Sequence, residues 1–451
     1  MTNAMLTNGN LQASSLFAAW QQQLNSAPQI LVALSGGLDS TVLLHLLLAA
    51  LPAERLYAVH INHGLSKNAD YWQSAVEGYC QSLGVRLHSE TVEVVASGEG
   101  IEAAARSARY SLFEELLQKD GLLLLGHHAD DQVETMLYRL LRGSGAKGLA
   151  GMPAQRALGQ GQLIRPLLAA SRAELEAYAQ AQDLVWVEDE SNAEDKFDRN
   201  FLRNQVLPVM AQRWPDYRQS LQLSSDQSKE ADQLAESLAG EDMAQLDCRE
   251  ERAGWSICIE NFMQFSDLRQ RNILRHWPGL HGMAAPNKKI ITEINDCVIG
   301  VREDAQPVVA WQAMQWRRFQ GRLYLLRSNI CDFAPEQRYQ WSMEQILQLA
   351  DNSHIAVYEV MGEGLALKAG QSVTLCYRQG GERCKPVGRC HSNSLKKLFL
   401  EYGIEPWWRD RMPLLYVDET LVAVGDCWVC DGWQAQQGQS GKKIRWQANS
   451  L

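Results

Sequence analysis

No run of apolar residues in this 451-residue chain approaches the roughly 20 that a membrane-spanning helix needs, so no membrane partner is expected. The polar stretch 1–10 has neither the basic nor the apolar part of a signal peptide, so an unstructured leader and a cytoplasmic protein are expected. Cysteine is sparse: only Cys80 precedes residue 248, with no spacing that suggests a disulfide framework, which fits a reducing compartment. Basic charge is also short. The formal net charge of −10 speaks mildly against a nucleic-acid partner, but the sum hides a very uneven distribution.

What is present begins with Ile30-Leu31-Val32-Ala33-Leu34-Ser35-Gly36-Gly37-Leu38-Asp39-Ser40, a buried strand that breaks into a glycine turn and opens an apolar helix. Free backbone N–H groups at such a helix start favour an anion, and Gly36 and Gly37 let the backbone come close to it. Ser35 and Ser40 add hydroxyls. Asp39 would repel phosphates unless a hard cation such as Mg2+ lies between, so a nucleotide is favoured over bare phosphate. No Gly-Lys-Ser/Thr follows the glycines, which excludes the common P-loop.

Further along, strands are expected at 29–34, 56–61, 85–94 and 122–126, and helices at 40–50, 70–83, 100–119 and 171–182, with an edge strand at 185–187. This alternation predicts an α/β fold: a doubly wound, Rossmann-like parallel sheet followed by two smaller mixed α/β domains. Segment boundaries are placed at 1–217 for the first domain, 218–330 for an acidic helical connector with a small second domain, and 335–447 for the last. His60 and Asn62 end the second strand, where polar groups face the crevice and could read a base or ribose. Arg106 and Arg109 share a helix face. The run His127-His128-Ala129-Asp130-Asp131-Gln132-Val133-Glu134 follows the next strand, with two imidazoles and three carboxylates in eight residues. Its spacing lacks the His pair of a metalloprotease.

Residues 136–173 hold six basic and no acidic residues, a positive patch that includes the glycine loop with Arg142 and Lys147. Arg199 and Arg203 are expected to share a further helix face. Residues 378–411 hold eight basic against four acidic residues, among them Arg378, Arg389, Lys396 and Lys397, with Trp407-Trp408 between them. Basic residues interleaved with aromatics suit RNA, whose unstacked bases lie on aromatic faces. Cys427-Trp428-Val429-Cys430 has a zinc-like gap but sits on an apolar strand pattern, so zinc is not expected.

The loop at 35–40 resembles the SGGxDS loop of enzymes that split ATP into AMP and pyrophosphate. SGGLDS at 35–40, HINHGL at 60–65, GHHADDQVET at 126–135 and RGSGAKGLAGM at 142–152 together resemble the tRNA(Ile)-lysidine synthase family, PP-loop (N-type) ATP pyrophosphatases, in its long form. Ser66 stands where that family usually has arginine. The resemblance implies a ligase that joins lysine to C2 of the wobble cytidine of a CAU-anticodon tRNA(Ile), through adenylation of the base by ATP. It implies ATP held by Ser35, Gly36, Gly37, Leu38, Asp39, Ser40, His60 and Asn62, with Mg2+ on Asp39. Arg106 is expected to meet phosphoryl charge, Asp131 and Glu134 to hold lysine, and His128 to take its proton. Arg142, Lys147, Arg199, Arg203, Arg378, Arg389, Lys396 and Lys397 are the expected tRNA contacts, and a homodimer is left open. A tRNA thiolation enzyme, which shares the loop, and a non-catalytic tRNA-binding protein are the rivals. The first needs cysteines near the loop, and the second has no need of Asp39, Asp131 and Glu134 together.

Overall fold

The structure is a computed structural model that describes residues 11–64, 66–92, 101–188, 190, 195–300, 305–327, 336–349, 353–368 and 370–447, with 101–103 described by backbone alone. The expected polar leader and the end of the expected strand 85–94 lie outside these residues. The chain parts into two compact units, 1–234 and 235–451.

The first unit is built on a six-stranded sheet. Strands β1 (Ile30–Ala33), β2 (Leu56–Asn62), β3 (Arg86–Thr91), β4 (Leu122–Leu124), β5 (Gln155–Leu158) and β6 (Gly161–Ile164) lie in the order β3-β2-β1-β4-β6-β5. All neighbours are parallel except the β5/β6 hairpin. Such a sheet is covered on both faces, which is why β1 and β4 are continuous apolar runs. One face packs on a core that includes Val32, Leu43 and Leu124, the other on Leu31, Phe113 and Leu123. The helix after β1, α1 (Leu38–Leu48), buries eight side chains and is apolar nearly all round, as a helix enclosed by its neighbours must be.

Helices α2 (Ala69–Leu83), α3 (Ile101–Leu116), α4 (Ala129–Leu141) and α5 (Arg172–Ala181) follow the expected pattern. The basic stretch, for which no strand is predicted, contains β5 and β6. One expectation fails: residues 185–187 form no strand. Val185 is 81% exposed, while the Val187 N–H closes a single bond of 2.9 Å on the Gly36 carbonyl. Beyond α5 come α6 (Asp198–Phe201), a π turn (Leu202–Val206), α7 (Leu207–Arg213) and α8 (Tyr217–Ala244), a 28-residue helix.

The second unit starts with a five-stranded antiparallel sheet around buried Trp277, Trp316 and Phe262. This part also contains the helix Asp267–His276 and the strands Val308–Trp311 and Arg322–Arg327. The C-terminal strands pack on a core that includes Phe399, Trp408 and Trp446. Among the described residues, no helix is long and apolar enough to cross a membrane.

Candidate active site

The strand order places the change of direction between β1 and β4, so the loops that leave their carboxyl ends share one crevice. Gly126 makes this approach close. A Cβ there would meet the Asp39 carbonyl at 3.0 Å and the Ser40 nitrogen at 3.1 Å. Gly36, with φ of +87°, is equally constrained: a Cβ would lie 2.8 Å from Val76 Cγ2. The hydroxyls preshape the loop. Ser40 Oγ donates to the Gly37 carbonyl (3.0 Å) and accepts from the Ser35 N–H (3.2 Å), and Ser35 Oγ accepts from the Gly37 N–H (3.3 Å). Leu38 is buried and starts α1, with Asp39 in its first turn.

The second loop carries the two histidines into opposite surroundings. His128, 1% exposed, has Nε2 3.6 Å from both Asp39 Oδ2 and Asp131 Oδ2, and Nδ1 3.8 Å from Asp130 Oδ2. Burial disfavours its charge, yet the three carboxylates outweigh burial and raise its pKa. His127 faces cations. Its Nδ1 accepts from Arg165 Nε at 3.3 Å, and burial with Arg165, Arg109, Arg106 and Arg199 pushes its pKa down to about 3.

The carboxylates around His128 are themselves anchored. Asp131 Oδ2 accepts the His128 N–H at 3.0 Å, capping α4 with the sign of charge its dipole favours. Asp130 accepts from Arg218 Nε (2.6 Å) and from the Arg172 N–H (2.8 Å); burial raises its pKa, but these bonds prevail and lower it. Glu134, nearly enclosed, accepts both arms of Arg203, Nε at 2.6 Å and Nη2 at 2.9 Å, and Arg203 Nη2 also lies 3.4 Å from Asp131 Oδ1. Burial nonetheless keeps the Glu134 pKa raised. Arg203, expected at the tRNA, thus turns inward.

Other expected residues fall as follows. His60 Nδ1–H donates to the Leu34 carbonyl at 2.9 Å, and Asn62 donates to Asp70 and Gln73 while accepting the Gly64 N–H, so both brace the crevice wall. Arg106 lies over the Tyr110 ring. The glycine loop is pinned at one end: Arg139 donates to the Gly148 and Gly151 carbonyls, and Gln132 clamps Met152. Arg142 stacks on Tyr138, and Lys147 is exposed.

In the second unit, Arg378 pairs with Asp410 (2.9 Å) and Arg389 with Glu401; Lys397 lies 3.7 Å from Glu401, and Lys396 is exposed. Trp408 does not meet the expectation of stacking tryptophans: it is 4% exposed against Trp446. Trp407, half-buried, packs edge-on to Tyr324 and Phe319. Arg165, Arg172 and Arg218 also belong to the site. The first two lie in the positive patch 136–173, where their charge is legible in the sequence but not their place at the histidine loop, whereas Arg218 is 88 residues from its partner.

A glycine loop at a buried helix start, one strand away from a carboxylate and histidine loop, defines a nucleotide-splitting site of the PP-loop ATP pyrophosphatase class, and a PP-loop domain model matches residues 8–210. Models described as the TilS substrate binding domain and the TilS substrate C-terminal domain match 257–324 and 373–446. The chain is 41% identical over 440 residues to a tRNA(Ile)-lysidine synthase of Serratia proteamaculans, covering 96% of this chain and 99% of the relative. It is 38% identical over 426 residues to that of Coxiella burnetii, covering 93% and 94%. The chain belongs to the tRNA(Ile)-lysidine synthase family. Among solved structures, a U34-tRNA thiolase from Methanococcus maripaludis is similar at 16% identity and a TM-score of 0.37, covering 48% of this chain and 80% of that one.

Proposed function

We propose that this chain makes lysidine on a CAU-anticodon tRNA(Ile) in the cytoplasm, using ATP and L-lysine. As a member of its family the chain is an ATP-dependent ligase that acts on tRNA. In the first step the C2 oxygen of the wobble cytidine attacks the α-phosphorus of ATP, and pyrophosphate leaves. In the second, the side-chain amine of lysine attacks C2, the C2–O bond breaks, AMP departs with that oxygen, and the amine's proton passes to the protein.

One observation carries this reading: His127 and His128 divide the crevice into a half lined by arginines and a half lined by carboxylates. The first suits phosphates. The second suits an ammonium that must also lose a proton. The backbone from Ser35 to Ser40 would cradle ATP, braced by His60 and Asn62, and Arg106 would meet phosphoryl charge. Mg2+ fits at Asp39, whose Oδ1 is buried without a hydrogen-bond partner among the described residues, and there it would screen the phosphates. Because Arg203 occupies both Glu134 oxygens, the direct seat for the ammonium is Asp131, with Glu134 holding Arg203 in place. His128, near Asp131, accepts the proton. The basic residues Arg142, Lys147 and Arg199, with Arg378, Arg389, Lys396 and Lys397, supply tRNA contacts. The parts for these tasks follow the boundaries 1–217, 218–330 and 335–447.

Sulfur chemistry is disfavoured. Cys80, alone in the first 247 residues, is buried, and burial pushes its thiol pKa up to about 11, away from the thiolate that such chemistry uses. The test is a reaction of the purified protein with ATP, bulk tRNA and labelled lysine. Pyrophosphate release that depends on tRNA, with label entering the tRNA, is expected; consumption of a sulfur donor, or no label transfer, overturns the reading.

A further inference from the structure

A second concentration of charge lies beside the nucleotide crevice, away from the glycine loop. Arg106 and Arg156 both place their guanidinium carbons near the Tyr110 ring centre, at 5.0 and 4.9 Å, and Arg106 Nη2 reaches the Tyr110 hydroxyl at 3.4 Å. Arg165, 4% exposed, donates to His127 and to the Pro153 carbonyl at 2.7 Å. Among the described residues, no ion pair joins Arg106, Arg156 or Arg165 to a carboxylate. The contrast is local. On the other side of the dipeptide His127-His128, Arg203 and Arg218 are both bound to carboxylates. Guanidinium groups gathered without counter-charge repel one another, a cost that an incoming polyanion relieves.

The sheet says which polyanion. Arg156 is on β5, and three strand steps separate β5 from β1 in the order β1-β4-β6-β5, about 14 Å at the usual spacing. The register still keeps it at the crevice edge, since Gln155 pairs with Ile164, which pairs with Leu124 at the end of β4. A nucleotide whose phosphates lie on the β1 loop would occupy the near side. The far side is left for a second phosphate-bearing ligand that enters the same crevice.

We propose that Arg156, beside the Tyr110 hydroxyl, binds a backbone phosphate of the tRNA next to the target nucleotide and so seats the wobble base over the nucleotide, while Arg106 on the same ring keeps the role at the ATP phosphates given above. This rests on the tRNA reading above. Arg156 is then a positioning residue of the RNA.

The experiment uses the full chain with Arg156→Gln and Arg156→Lys, both checked by thermal melting against wild type. For Arg156→Gln, the tRNA KM should rise about tenfold, with kcat and the KM values for ATP and lysine within twofold of wild type. The slope of log tRNA affinity against log salt should shrink by about 0.7, the value for one single-strand phosphate contact. Arg156→Lys keeps the charge and should restore the slope. An unchanged slope in Arg156→Gln overturns the inference. So does a rise in the ATP KM or weakened inhibition by added pyrophosphate with the tRNA KM unmoved, which would make the ligand a nucleotide phosphate. Wild-type protein that binds no tRNA, or releases no pyrophosphate with it, would instead refute the tRNA reading itself.

Discussion

Arg203→Ala separates an arginine that faces RNA from one that neutralises a buried acid. In the fold its guanidinium binds Glu134 through two hydrogen bonds, and the Glu134 side chain is 3% exposed. Removing one partner of such a pair strands a charge and costs about 3 to 5 kcal/mol. For a domain of roughly 150 to 250 residues each kcal/mol moves Tm by about 2 to 4 °C, so the melting of the first unit should fall by about 6 to 20 °C at pH 8. The penalty should also depend on pH. Burial already holds the Glu134 pKa above its ordinary value, so the folded chain keeps that proton to a higher pH than the unfolded chain. Ionising Glu134 therefore costs stability as pH rises through the folded pKa, and loss of Arg203 widens this gap. The deficit should be largest above the folded pKa and shrink as pH falls through it towards the unfolded value. Calorimetric melts of wild type and Arg203→Ala at a series of pH values provide the assay. A change below about 1 °C at pH 8, combined with a smaller salt slope for tRNA, would show that Arg203 points at RNA and that the inward pair is wrong.

Asp39→Ala should abolish tRNA-dependent pyrophosphate release while its melting stays within a few degrees of wild type; normal release would remove the phosphate-loop assignment. Asp131→Asn keeps an acceptor for the His128 N–H but loses charge, so pyrophosphate release should persist while transfer of labelled lysine falls about ten- to a hundredfold, the worth of one charge-assisted contact. Equal loss of both steps would move Asp131 to the ATP reaction. Lys396→Ala with Lys397→Ala should weaken binding of all tRNAs and reduce the salt slope by roughly one unit per lost contact, and an unchanged slope means the lysines serve only solubility. His127, pushed down to about 3, should show no imidazole titration by NMR between pH 5 and 8; a midpoint near its ordinary value would mean the arginines do not surround it.

The α/β core was legible because its signals are local: apolar strands, a glycine turn, and helices of fixed period. Less was legible where partners are distant or the backbone departs from a regular period. The β5/β6 hairpin lies in the basic segment, and Gln155-Arg156-Ala157 gives no apolar alternation because β5 is a sheet edge. Val185-Trp186-Val187 has strand composition, but its one interstrand-like bond caps the glycine loop. Trp407-Trp408 shows that basic and aromatic composition reads the same whether the rings face RNA or a core. A spacing of four residues predicts one α-helical face for Arg199 and Arg203. The π turn from Leu202 to Val206 changes that relation, so Arg203 reaches Glu134 while Arg199 contributes to the field at His127.

The two histidines show how one backbone conformation sorts charge at the site. His128 is the residue before α4, with φ −123° and ψ −179°, fully extended. Extended backbone sends successive side chains to opposite sides, whereas a helical His127-His128 pair would have spread them by about 100° on one surface. His127 therefore turns to Arg165, and His128 turns to Asp39, Asp130 and Asp131. Asp131 enforces this conformation by accepting the His128 N–H, which makes the same carboxylate both helix cap and part of the proposed lysine seat. Loss of the cap would let the dipeptide rotate and mix the two halves of the crevice. That is why the charge-only change to Asn, rather than truncation to Ala, isolates the chemistry of Asp131 from its geometry.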